Sequence, residues 1–243
     1  MYMKKKTVLL GATAVMLVCA MSIGGMLAYF TDTDTKENTF TLGNVKIEVI
    51  DEFEQDSIAN PGVAVDKTVA IKNTGANNAY VRMKVVLSDA KAWIAGLDSK
   101  YPGQYVHGIF GGVDTENWGV TPLYTEENFS HGGLYDAEKD TLTIIYEYHK
   151  PHEGYDQWHN GILLPDEETT ARFTSVTMPE LFDNEDIARF NDDGEPGFTV
   201  TIIGEAIQAE GFDWRQDAYD ALDAQGALPA VEETAEPTEP VEP

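Results

Sequence analysis

Apolar and polar residues alternate along much of the chain, and this period of two is the strongest constraint on its fold. The alternation is clearest at residues 79–87, 142–148 and 198–206. Successive side chains of a β-strand point to opposite faces, so strands with one polar face are typical of antiparallel sheets that bury the other face. Helical spacing is confined to three short segments, residues 89–97, 179–190 and 214–222. The pattern predicts a mainly β fold, a single antiparallel β-sandwich with a few short helices in its connections.

The first 28 residues have the layout of an export signal. A basic cluster at residues 4–6 precedes an uncharged apolar stretch at residues 8–28, and acidic residues follow from Asp32. This order predicts a signal peptide that is cleaved between Ala28 and Tyr29. A stretch of about 20 apolar residues can also span a bilayer, so an uncleaved membrane anchor is the alternative. We expect signal peptidase as a partner during export and no stable membrane anchor after cleavage.

The rest of the chain divides into three parts. Residues 29–44 form a flexible N-terminal segment and a possible donor strand, and residues 45–226 form the β-sandwich domain. Residues 227–243 are an acidic tail rich in Pro and Glu, a composition that predicts disorder. The single cysteine, Cys19, excludes an intramolecular disulfide and a zinc site made of several cysteines.

The charge of the chain is strongly negative. Its 16 basic and 42 acidic residues give a formal charge of −26. Cleavage after Ala28 removes three lysines and leaves 13 basic against 42 acidic residues, a formal charge of −29. Phosphate recognition needs clustered cations, so the charge argues against nucleic acid as a partner. The acidity is better interpreted as a device that keeps exposed strand edges of an exported protein apart.

Residues 149–159 contain the densest set of potential metal ligands. Zinc peptidases commonly place two histidines four positions apart on a helix, with a glutamate beside the first. Here the second position is an aspartate, and Pro151 and Gly154 make a continuous helix improbable. We expect a solvated loop, with a ligand-contacting loop or a zinc site as alternatives. The weak metal candidates are His149, His152, Asp156 and His159.

Other chemical signals in the sequence are weaker. Residues 32–34 and 191–195 supply oxygen ligands that calcium prefers, but neither fits the twelve-residue calcium loop. Ser130-His131 has no acidic partner nearby in the sequence and is interpreted as a turn. We expect no catalytic residues and no cofactor, with Ca or Zn left open. If the protein binds a ligand, the candidate contacts are Trp118, Tyr135 and Trp158.

One string of residues resembles a known family. It runs from residue 26 to residue 45 and reads Met-Leu-Ala-Tyr-Phe-Thr-Asp-Thr-Asp-Thr-Lys-Glu-Asn-Thr-Phe-Thr-Leu-Gly-Asn-Val. This string resembles the start of TasA/camelysin-type secreted proteins of Gram-positive bacteria, whose signal peptides are processed by the dedicated peptidase SipW. Residues 72–75 with 79–82, and residues 205–212, look like the same group.

The resemblance implies two different functions. The best-known members are jelly-roll-like subunits of extracellular biofilm-matrix fibres, in which the N-terminal segment of one subunit completes the sheet of the next. Camelysins are described as surface metallo-endopeptidases. We expect a secreted, non-enzymatic subunit of the matrix or cell surface that polymerises with itself. The alternatives are a camelysin-like metallo-endopeptidase and a monomeric surface module that binds a ligand.

A donor-strand mechanism has a physical basis in the residues themselves. An extended segment can add to an exposed sheet edge through main-chain hydrogen bonds, and head-to-tail addition can grow a filament. The alternative is that residues 40–49 are simply the first strand of their own domain, and we favour this alternative for residues 45–49. The donor-strand candidates are Phe30, Phe40, Leu42, Val45 and Ile47.

Overall fold

The structure is a computed structural model. It describes residues 28–29, 37–38, 45–53, 58–123, 126–155, 159–191 and 197–226. The strands are β1 (Ala28–Tyr29), β2 (Glu37–Asn38), β3 (Ile47–Phe53), β4 (Ile58–Ala59), β5 (Ala64–Asn73), β6 (Ala79–Leu87), β7 (Phe110–Gly111), β8 (Trp118–Val120), β9 (Phe129–Ser130), β10 (Gly133–Asp136), β11 (Thr141–Tyr148), β12 (Ile162–Leu163), β13 (Phe173–Thr177) and β14 (Val200–Gln208). The helices are α1 (Ala90–Lys100), α2 (Asn184–Ala188) and α3 (Arg215–Gly226), with 3₁₀ turns at Val106–Ile109 and Arg189–Asn191.

These strands form two main sheets. The large sheet has the order β2-β14-β6-β11-β10-β9, with β12 also paired to β6 and β8 to β11. The small sheet has the order β3-β5-β13-β7, and β1 pairs separately with β4. The named strand pairs are antiparallel except β2 with β14, which is parallel. The mainly β, antiparallel fold is therefore confirmed, while the jelly-roll topology stays a prediction.

The apolar core lies between the two sheets. Alternate side chains of β6, β11 and β14 are buried there with those of β3 and β5, as the period of two predicts. Trp93 of α1 closes one end of this core. Its ring centroid lies 4.9 Å from that of Phe190 and 4.8 Å from that of Phe198, both in edge-to-face geometry. Each such pair contributes about 0.5–1.5 kcal/mol beyond burial alone.

The three predicted helical segments all contain helices, but the second is shorter than predicted. Helix α2 begins at Asn184 and not near Pro179, because Asp183 caps it: the Asp183 side chain accepts hydrogen bonds from the main chain of Glu185 and Asp186. The Asp186 carboxylate in turn accepts from the Asp183 N–H and completes a capping box.

Helix α3 covers the outer face of the large sheet. It buries a second apolar cluster that includes Tyr80, Ile207, Tyr219 and Leu222. The Tyr219 hydroxyl donates a hydrogen bond of 2.8 Å to the Val81 carbonyl, which ties the helix to the middle of β6. Within the part of the chain that the structure describes, no helix combines the length and the apolar composition needed to cross a membrane.

Candidate functional site

Strand β14 lies near one edge of the large sheet, where β2 is its neighbour on the side away from β6. Strand β14 pairs with β6 along its whole length, from Val200 with Leu87 to Gln208 with Ala79. On its other side the described residues pair at only two positions, Ile203 with Glu37 and Gly204 with Asn38. This side of β14 is an edge of the large sheet, and a sheet edge is a template for another strand.

Strand β3, at the edge of the small sheet, packs closely against β14. A Cβ atom at Gly204 would lie only 2.8 Å from Val49 Cγ2 and 3.0 Å from Ile47 Cδ1. Only glycine allows β14 and β3 to approach this closely. Strand β2 contacts both of them. We call the two facing edges, β3 and β14, the edge seam.

The donor-strand candidates fall into two groups. Val45 and Ile47 are 4% and 1% exposed and pack in the core of their own domain. Strand β3 pairs with β5 in the same chain, which is the alternative that the sequence left open for residues 45–49. Phe30, Phe40 and Leu42 lie outside the described residues. For the predicted cleavage pair, Ala28 and Tyr29, the structure describes only the main chain, which pairs with Ile58–Ala59.

A buried ionic network joins α3 to strands β6 and β14. Arg82 on β6 donates from Nε to Glu205 on β14 at 2.5 Å, and its Nη2 donates to Asp223 on α3. Lys84 donates to the other oxygen of Glu205 at 2.6 Å. Burial lowers the pKa of Arg82, but the hydrogen bonds and charges of Asp223 and Glu205 outweigh it and raise the pKa. The arginine is therefore a permanent cation that fixes α3 over the sheet.

The structure does not assemble the metal candidates of residues 149–159 into one site. The ring of His149 is hydrogen-bonded to the Glu116 carbonyl at 3.0 Å, whereas His152 lies 3.8 Å from the Glu167 carboxylate. The ring of Tyr155 lies near both His152 and His159, with centroid distances of 5.6 and 6.5 Å. Among the described residues, no three His, Cys, Asp or Glu side chains are grouped to hold a metal ion. Asp156 lies outside the described residues.

The candidate ligand contacts are also separated. Trp118 is 1% exposed, packs on Tyr148, and donates from its indole nitrogen to the Thr170 carbonyl at 2.9 Å. Its ring is part of the core and does not face a surface ligand. Tyr135 is partly buried against the same core. Trp158 lies outside the described residues.

Sequence reasoning missed a polar cluster inside the protein. The guanidinium of Arg172 is stacked 4.1 Å from the ring centre of Tyr146 and donates to the Asp114 carbonyl at 2.9 Å. Burial raises the pKa of Tyr146 to about 12. Burial, and then the charge of Arg172, lower the pKa of His107. These residues come from distant segments of the chain, so no local sequence pattern indicates that they form a cluster.

The Asp114 carboxylate anchors this cluster. Desolvation acts to raise its pKa, but hydrogen bonds from Thr170, Asn117 and the Glu116 N–H prevail and lower the pKa to about 2. Asp114 thus stays ionised and fixes the loop before β8 against the residues that precede β13. The contacts of this cluster hold these chain segments together, and they do not point to a catalytic function.

The turn at Ser130-His131 does have an acidic partner, contrary to expectation. The ring of His131 is hydrogen-bonded through Nδ1 to Ser130 Oγ at 2.8 Å and through Nε2 to Asp98 at 3.1 Å. Asp98 is 65% exposed at the end of α1. The contact ties the β9–β10 hairpin to α1, and the interpretation as a turn holds because His131 occupies the left-handed region, with φ of 47°.

Together these features define a mainly β protein with a core between two sheets. A family model described as camelysin metallo-endopeptidase matches residues 2–94. The match confirms the resemblance to the TasA/camelysin family, and it covers the N-terminal segment through strands β1–β6 and the start of α1. A comparison with curated proteins gave no match, and neither did a comparison with solved structures.

Proposed function

We propose that this protein is a structural subunit of the extracellular matrix or cell surface. In this proposal the chain is exported, residues 1–28 are removed, and copies polymerise when residues 29–44 of one copy add to the edge seam of the next. The family relation supports a role at the cell exterior, since the TasA/camelysin group is secreted. Assembly of this kind is head-to-tail and so need not close.

The edge of β14 that lies away from β6 supports the proposal. Strand β14 has nine residues, and on that side the described residues form two pairs with it, Ile203 with Glu37 and Gly204 with Asn38. A donor that continued the pairing along β14 would gain main-chain hydrogen bonds that each contribute about 0.5–1.5 kcal/mol.

The experiment removes the donor. A chain that begins at Tyr29 is compared with one that also lacks residues 29–39, and both are examined by size-exclusion chromatography and negative-stain electron microscopy. We expect fibres from the first and monomers from the second. A chain ending at Gly226 serves as the control, because it loses a similar length at the other end, and it should still form fibres. Undiminished fibres without residues 29–39 would contradict donor addition.

The second candidate function is that of a surface metallo-endopeptidase, which the description of the matching family favours. His152, with Glu153 beside it, and His159 are its nearest candidates for zinc ligation. Zinc content of the purified protein and hydrolysis of casein, with and without a chelator, test this candidate. Chelator-sensitive cleavage that is lost in His152→Ala would replace the structural proposal with the enzymatic one.

A further inference from the structure

An apolar groove opens between the end of α1 and the chain that enters β5. Its volume is about 480 Å³. Its walls include Leu97, Tyr101, Tyr105, Ile109, Pro179 and Glu180. Aromatic and aliphatic side chains dominate this lining, and Glu180 has the only carboxylate among the described residues that form it. The groove therefore suits an apolar or aromatic group that carries a positive charge.

The rim of the groove is unusually apolar for so acidic a protein. Seven large hydrophobic side chains are exposed among the described residues, and three of them are at or beside this groove. Tyr105 forms a wall and is 51% exposed, while Val63 and Leu181 are the sequence neighbours of wall residues and are 52% and 58% exposed. Clustered exposed hydrophobics indicate an interaction surface.

The N-terminal segment pairs with a strand that leads into this groove. Ala28 and Tyr29 pair with Ala59 and Ile58, and Gly62, three residues after Ala59, is part of the groove wall. The Gly62 N–H donates to the Met178 carbonyl at 2.9 Å, so the two chain segments that bear Val63 and Leu181 are held side by side. The predicted cleavage site thus pairs with a strand whose chain enters the groove wall three residues later.

We propose that this groove binds the chain end Tyr29-Phe30 of a second copy, with the Glu180 carboxylate accepting its free α-amino group. The inference rests on the proposed function and names the contact by which a subunit recognises the cleaved end of its neighbour. Two adjacent aromatic rings supply the apolar group, and an α-amino group is largely protonated at neutral pH because its ordinary pKa is near 7.7–8.0. Capture of an N-terminal amine is a known mode of peptide recognition.

The proposal gives cleavage a direct role in assembly. Before cleavage, Tyr29 lies inside a continuous chain, so there is no α-amino group at that position and the preceding apolar residues would have to pass through the groove. After cleavage, the aromatic pair is a chain end and can enter it. The groove therefore discriminates cleaved from uncleaved subunits.

Photo-cross-linking tests where the chain end lies. A chain that begins at Tyr29 carries benzoylphenylalanine in place of Phe30 and is mixed with an equal amount of ¹⁵N-labelled chain before irradiation and peptide mass spectrometry. We expect cross-links from position 30 to residues 97–109 or 177–181 of another copy, recognised by mixed isotope labels. Cross-links confined to one copy, or to other segments such as β14 or residues 227–243, would overturn the proposal.

Variants of the groove give an independent readout. Assembly is followed by light scattering, and we expect Glu180→Gln to slow it about threefold to fivefold, as for loss of one exposed charge pair. Leu181→Asp should slow it by more than tenfold. Val120→Asp is the matched control, because Val120 is 42% exposed on β8 and does not line the groove, and its rate should not change. Retention of residues 26–28 should have the same effect as Leu181→Asp.

The two proposals fail in different ways. If the chain that begins at Tyr29 forms no polymer, the proposed function is wrong. If polymers form at unchanged rates in Glu180→Gln and Leu181→Asp, subunits assemble without the groove, and only the groove assignment is wrong.

Discussion

At the scale of single residues, we expect the His107 side chain to make the free energy of unfolding fall in acid. Burial and the nearby charge of Arg172 lower the pKa of His107 below its usual 6.5 in the folded protein. The folded state therefore disfavours the imidazolium, so this contribution to stability is complete above the unfolded pKa and is lost as pH falls through the folded pKa. We expect His107→Gln to lose less stability than the parent protein between pH 7 and pH 5, as measured by thermal unfolding followed by circular dichroism.

The comparison needs a control for the general titration of an acidic protein. His149→Gln removes a histidine whose ring is bonded to a main-chain carbonyl at an exposed position. Its melting temperature should follow that of the parent protein across the same pH range. If the melting temperatures of the parent protein and of His107→Gln fall in parallel as pH is lowered, the His107 imidazole is not the acid-sensitive group.

The ionic network around Arg82 predicts unequal effects of its members. The Arg82 and Glu205 side chains are 3% and 13% exposed, whereas Asp223 is 62% exposed. Arg82→Met leaves Glu205 as a poorly solvated charge with a weaker partner, so we expect a loss of about 3 kcal/mol in the free energy of unfolding. Asp223→Asn should cost less than about 1 kcal/mol, because water screens the exposed pair. Urea denaturation of both variants measures the two values, and equal losses would contradict this account of burial.

At the scale of elements, the close approach of β14 and β3 depends on Gly204. Any side chain there would meet Val49 and Ile47 at less than ordinary contact distance. We expect Gly204→Val to cost about 1–3 kcal/mol in the free energy of unfolding through overpacking. Gly108→Ala is the control, because nothing lies within 4 Å of a Cβ built at Gly108. Chemical denaturation compares them, and a Gly204→Val protein as stable as its parent would mean that the two edges can separate freely.

Local pattern predicted the strands well where burial is one-sided. Strands β11 and β14 were predicted from alternation alone, and they bury the expected faces. Strand β6 shows where this reasoning stops. The alternation at residues 79–87 places Tyr80 and Arg82 on the polar face of the strand, yet they are 0% and 2% exposed. Helix α3, more than 130 residues later in the chain, covers that face. The local sequence of a strand does not show that a distant helix will bury it. The edge seam was hidden for the same reason, since it depends on the close approach of Gly204 to Val49 and Ile47, which lie far apart from it in the sequence.

At the scale of the whole molecule, the formal charge of −26 sets the conditions under which copies can associate. Copies that carry the same large charge repel each other, and this repulsion is reduced by added salt, by bound divalent cations, or by protonation of carboxylates at low pH. The edge seam and the apolar groove supply short-range attraction that salt does not weaken to the same extent. We therefore expect fibre formation to be promoted by all three conditions.

Light scattering of the chain that begins at Tyr29 measures this effect, with sodium chloride from 20 to 500 mM, with millimolar calcium at constant ionic strength, and with pH lowered from 7.5 to 5. The chain that lacks residues 29–39 is the control, because its scattering under the same conditions reports aggregation that does not use the N-terminal segment. Salt also screens the attraction between Glu180 and the α-amino group of another copy, which partly offsets the promotion of assembly. Assembly of Glu180→Gln should therefore accelerate with salt more steeply than that of its parent. Assembly that weakens under all three conditions would mean that charge attraction, and not the burial of apolar and strand edges, holds the copies together.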